Sequence, residues 1–125
     1  MSKFKQQGFA KTFLNAQKGM RLVLKSESNI RIHLFAAVFI IASAICLHFS
    51  AAKLCILLLT IAAVICSEMM NSAIEFTLDA VYHNKYSRLV GMAKDIAAGA
   101  VMFTSIIAVI IGGLLFLPPI IDLFT

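Results

Sequence analysis

The sequence predicts an all-α membrane protein. It reads as one domain over residues 1–125, with an N-terminal amphipathic surface helix followed by three transmembrane helices. Three observations carry this reading. First, 61% of the 125 residues are hydrophobic, 14% are charged and the mean hydropathy is +0.94. Soluble domains lie nearer half apolar and a quarter charged, and so apolar a chain is not a disordered one. Second, three long apolar stretches follow one another with short interruptions. Third, seven of the eleven basic residues fall before the first of those stretches. That suits an anionic membrane surface rather than nucleic acid.

Residues 3 to 28 predict the surface helix. Phe9, Phe13, Ala16, Met20, Val23 and Leu24 recur at three- and four-residue spacing, and Lys11, Lys18, Arg21 and Lys25 occupy the other surface. Ser26, Glu27, Ser28 and Asn29 break the pattern and offer a turn with caps. This basic start has no early apolar core, so no cleavable leader is expected. The first span is expected over about 32–49, just long enough for a hydrocarbon core of roughly 30 Å. Ser50 to Lys53 form a tight connection. The second span is expected over about 54–80 as one long helix, since neither Gly nor Pro occurs there. Residues 81–95 are expected to form a polar connection. The third span, about 96–117, carries no charge and opens with the small residues Ala97, Ala98, Gly99 and Ala100. Pro118 and Pro119 are expected to end it.

Ten of the eleven basic residues lie in the N-terminal segment and the 81–95 connection. The positive-inside rule therefore predicts a cytoplasmic N-terminus and an external C-terminus. Cys46, Cys55 and Cys66 lie in apolar stretches without metal-binding spacing and read as small buried hydrophobes.

The second span carries the chemistry. Glu68, Asn71, Glu75 and Asp79 fall at roughly 0°, −60°, −20° and +20° around a helix, with Ser72 beside them at about +40°. Counting from Leu54, Glu68 lies roughly 21 Å into the membrane, Glu75 roughly 31 Å and Asp79 about 37 Å. The acids thus run from inside the hydrocarbon boundary into cytoplasmic water, where a lipid hydroxyl can meet a soluble nucleotide. Intramembrane acids are functional by default. In a phosphoryl-transfer reading, Glu75 and the interfacial Glu27 suit magnesium brought by ATP. Glu68, the deepest, suits a general base for an alcohol. Lys94 suits phosphate charge, and Asp95 suits orienting it or binding nucleotide. The chain has no Walker-type glycine loop, so any nucleotide site is of another kind.

The run Glu68-Met-Met-Asn71-Ser72-Ala73-Ile74-Glu75, with Asp79 and with Ala93-Lys94-Asp95-Ile96-Ala97-Ala98-Gly99-Ala100, resembles the small integral-membrane prokaryotic lipid kinases. These are the diacylglycerol kinase and undecaprenol kinase family. Lys18-Gly19-Met20-Arg21 and Glu27-Ser28-Asn29-Ile30-Arg31-Ile32-His33-Leu34 resemble it too. The resemblance implies a homotrimer with active sites shared between protomers, in the bacterial cytoplasmic (inner) membrane. It also implies ATP- and Mg2+-dependent phosphorylation of a lipid alcohol. Glu68 would be the catalytic base, and Glu27 and Glu75 would bind the metal with ATP. Asn71, Lys94 and Asp95 would contact or position the nucleotide, with Asp79 nearby. Residues 27–34 and the Phe116-Leu117-Pro118 ending look more like the undecaprenol branch. In the diacylglycerol branch an acidic residue falls where His33 stands. His33 itself reads as an interfacial histidine. The rival of another class is an oligomeric ion channel or proton-coupled transporter, which also explains intramembrane acids. Against it stands their one-sided depth.

Overall fold

A computed structural model describes residues 8–125. The expected start of the surface helix at residues 3–7, with Lys3 and Lys5, lies outside the described residues. Four helices follow in order: α1 (Phe9–Ser26), α2 (Ser28–Cys46), α3 (Ala51–Tyr82) and α4 (Arg88–Phe124). Helices α2, α3 and α4 are each long and apolar enough to cross a membrane.

The break between α1 and α2 is narrower than Ser26–Asn29. Glu27 alone leaves the helical conformation, with φ −115° and ψ 109°. Its N–H still bonds Val23 O at 2.9 Å. Arg31 reaches back from α2, and its Nη1 donates to Leu24 O at 2.7 Å and Lys25 O at 2.9 Å. One guanidinium nitrogen thereby satisfies two of the carbonyls that the end of α1 leaves open.

α2 turns Ile30, Ala37 and Ala44 inward, at seven-residue spacing. That is the seam of a helix packing at a shallow angle, and the small alanines let backbones approach closely. α3 starts at Ser50, whose side chain accepts from Lys53 N–H at 3.3 Å. It ends where His83 and Asn84 both adopt positive φ, 51° and 61°. Asn84 N–H closes onto Asp79 O at 3.2 Å. Ser87 then caps α4 by accepting from Val90 N–H at 3.2 Å.

Two contacts fix how α3 and α4 run. Lys94 Nζ meets Asp79 Oδ1 at 2.7 Å, and the hydroxyls of Ser67 and Thr104 lie 2.9 Å apart. The contacts progress in opposite senses along the two helices, so these are antiparallel. At the other end Phe49 packs on Phe116, ring centroids 4.8 Å apart, with Lys53 Nζ 5.5 Å from the Phe49 ring.

Three expectations are corrected. The polar connection is His83–Ser87, not 81–95, because helical hydrogen bonding continues through both flanks. Pro118 and Pro119 do not end the last helix, which runs on to Phe124. Proline's fixed φ is compatible with helix. The three cysteines are free and exposed rather than buried. Much of the exposed surface is itself apolar, with Phe35, Val38, Ile96 and Leu114 among the exposed residues. In a membrane chain that surface meets lipid or other protein, so apolar character does not imply an inward position.

Candidate active site

Helix α3 supplies most of the site because its polar residues share one face, and that face is turned toward its neighbours. Glu68 and Ser72 are buried, while Asn71, Glu75 and Asp79 are half-buried. Three pairs result. Glu68 Oε1 faces His33 Nδ1 of α2 at 2.6 Å. Asn71 Nδ2 donates to Glu75 Oε1 at 3.4 Å. Asp79 meets Lys94 of α4 at 2.7 Å. Asp95 lies next to Lys94 in the chain and is exposed, and Glu27 is half-buried at the α1–α2 elbow.

The His33–Glu68 approach is short, yet its direction is not that of a formed hydrogen bond. His33 Nδ1, Glu68 Oε2 and Asn71 Oδ1 are buried without hydrogen-bond partners, the last two on α3. Buried polar atoms are almost always satisfied, so two orphans one turn apart on one face need a reason. An open carboxylate oxygen and an open amide oxygen can accept from a substrate hydroxyl or help surround a cation.

Among the described residues the ion pairs are His33–Glu68 and Lys94–Asp79. Glu27 and Glu75 therefore have no basic partner there. No three His, Cys, Asp or Glu side chains among the described residues converge into a metal cage. The carboxylates of Glu27 and Glu75 are hard oxygen donors of the kind magnesium takes beside waters and phosphate oxygens. Glu27 also makes no side-chain cap to α2, which leaves its carboxylate uncommitted.

Beside this polar face runs a groove of about 920 Å³ between α2, α3 and α4. It extends from His33 past Phe39, Leu57 and Val64 toward Phe116 and Ile120. Its lining is overwhelmingly apolar, as a long hydrocarbon chain requires. Glu68 does not line the groove itself; it lies one helical turn beyond Val64 and faces His33, which does.

His33 is the residue that sequence reasoning undervalued. Its signal was its spacing: it stands three residues after Ile30 and four before Ala37, on the inward seam of α2. α2 is apolar nearly all round, so nothing in its sequence marked that seam as the inner one.

A model of the prokaryotic diacylglycerol kinase family matches residues 14–116. A diacylglycerol kinase of Synechocystis sp. is 39% identical over 112 residues, covering 90% of this chain and 64% of that protein. The chain thus spans somewhat under two thirds of that relative's length. An undecaprenol kinase of Bacillus subtilis is 36% identical over 110 residues, covering 88% of this chain and 89% of that protein.

Proposed function

The chain belongs to the prokaryotic diacylglycerol kinase family, and on that basis we propose that it is an ATP- and Mg2+-dependent lipid kinase acting on undecaprenol. One observation carries the reading: a buried carboxylate with an unpartnered oxygen, Glu68 Oε2, lies behind His33, the residue that lines the groove nearest to it. A lipid alcohol fits that pairing, with its chain along the groove and its hydroxyl at Glu68. Diacylglycerol is the second acceptor, since the two relatives carry both names at similar identity. Undecaprenol is preferred on the likeness of residues 27–34 and of the Phe116-Leu117-Pro118 ending to that branch.

The chemistry follows from the placement. Glu68 Oε2 takes the proton of the lipid hydroxyl. The hydroxyl oxygen bonds the γ-phosphorus, and the bond from that phosphorus to the bridging oxygen breaks, with ADP leaving on the electron pair. Lys94, drawn by Asp79, presents positive charge to the phosphates, and Asn71 and Asp95 position the nucleotide. Glu75 and Glu27 hold the magnesium, which when bound neutralises charge on the phosphate oxygens. Such a site works mainly by positioning and electrostatics.

The proposed setting is the bacterial cytoplasmic membrane, N-terminus inside and C-terminus outside, with α1 lying on the inner surface. The homotrimer with shared sites is part of the same proposal. It rests on the resemblance to the family.

The test is phosphate transfer from labelled ATP by the purified full chain in mixed micelles, with undecaprenol and diacylglycerol in parallel, with and without Mg2+. Magnesium-dependent undecaprenyl phosphate is the expected product. Phosphatidate alone would reassign the acceptor. Transfer to neither lipid by folded protein, together with ion flux in liposomes, would replace the kinase reading with the transporter one.

A further inference from the structure

We infer that His33 is a positioning residue for the base, holding Glu68 through Oε1 so that Oε2 is presented to the lipid hydroxyl at the end of the groove. The inference rests on the lipid-kinase reading and adds a role for a residue outside its metal and nucleotide sets.

Two independent observations meet at this side chain. The first is the pairing across helices. Nδ1 of His33, on α2, lies 2.6 Å from Oε1 of Glu68, on α3. At that separation a small reorientation of the imidazole is enough to place an Nδ1–H donor on Oε1. The second is the groove. His33 lines its polar end, among apolar neighbours such as Ala36, Ala37 and Val64. One imidazole therefore touches both the carboxylate and the channel for the hydrocarbon chain.

The two Glu68 oxygens then have different surroundings. Oε1 is engaged by His33, while Oε2 is buried and without a partner. A buried carboxylate held at neither oxygen would rotate about its terminal bond, which has a broad torsional preference. Held at one oxygen, it keeps the other aimed. In the structure the contact is close but imperfectly directed, as catalytic hydrogen bonds often are before substrate binds. His33 is also partly exposed, with 41% of its side-chain surface accessible against 8% for Glu68. It thus stands between the buried base and the opening through which a lipid headgroup arrives.

A group that acts through the base has a distinctive signature. His33→Ala lowers kcat on the order of tenfold to a hundredfold while leaving KM for ATP unchanged. His33→Gln restores most of that loss, because its amide can donate to Oε1. In a Glu68→Gln background, His33→Ala lowers the residual rate no further. These rates are measured on the full chain in mixed micelles, alongside thermal unfolding of each variant. A kcat for His33→Ala within twofold of wild type overturns the inference. So does a folded His33→Gln variant no better than the alanine variant, or an additive loss in the double variant. Infrared difference spectra with labelled glutamate supply a readout independent of turnover: His33→Ala shifts the Glu68 carboxylate stretch, and an unmoved band also overturns the inference. Wild-type protein that phosphorylates neither lipid refutes the kinase reading instead, and the carboxylate band alone then decides the pairing.

Discussion

Replacing Arg31 with alanine should loosen the α1–α2 elbow and displace Glu27. Arg31 Nη1 holds two carbonyls at the end of α1, Leu24 O at 2.7 Å and Lys25 O at 2.9 Å. Hydrogen bonds from a charged donor contribute about 1.5–3 kcal/mol when desolvated. These groups are exposed, so water re-solvates the freed carbonyls, and about 1–2 kcal/mol for the pair is the appropriate scale. That raises the open population of the elbow about 5- to 30-fold. Backbone hydrogen exchange of the full chain in lipid nanodiscs reads this directly. The Glu27 N–H, bonded to Val23 O, and the Arg31 N–H, bonded to Glu27 O, should exchange faster by that factor. Amides around Glu68 in α3 should not change. Arg31→Lys should fall between, since an ammonium keeps the charge and donors but not their fixed placement. If Glu27 holds the metal with ATP, KM for ATP should rise alongside. Elbow exchange in Arg31→Ala within twofold of wild type would refute the role given to this contact.

Three further outcomes are expected. Glu68→Gln should lower phosphate transfer at least about a hundredfold, the usual loss for a general base, with thermal unfolding in detergent unchanged; retained activity would remove Glu68 as base. Glu75→Gln and Glu27→Gln should each raise the Mg2+ concentration needed for half-maximal rate, and identical magnesium titrations in both would contradict their assignment. Thr104→Val removes the Ser67–Thr104 bond of 2.9 Å. It should destabilise the α3–α4 pair by about 0.6 kcal/mol, and by no more than about 1.7 kcal/mol, as seen for polar contacts between membrane helices, measured by denaturation in micelles.

Much of the architecture could be read from residues alone, because membrane crossing is encoded in length and hydropathy. Three spans followed from that, and the angular positions of Glu68, Asn71, Glu75 and Asp79 placed them on one face of α3. What lay hidden depends on neighbours. Whether Cys46 points inward cannot be read from an apolar helix whose surroundings are also apolar. Helix continuation past Pro118 and Pro119 runs against proline's tendency to end a helix, although its fixed φ permits it. The pairing of His33 with Glu68 joins residues far apart in the chain. It could be seen only once α2 was set against α3. The charge on Lys94 was legible, but its partner Asp79 was visible only through the antiparallel register.

The short His83–Ser87 connection bears on how a nucleotide is received. Had residues 81–95 formed a loop, closing them around a ligand would have frozen many backbone torsions, at roughly 1–2 kcal/mol per residue. Most of those residues instead belong to the ends of two helices, so that ordering is completed when the protein folds. Asp79 and Lys94 meet across a rigid pair of helix ends. On the proposed reading, a nucleotide phosphate arriving there would find its cation already aimed, and its binding energy would not be drained into organising the receptor.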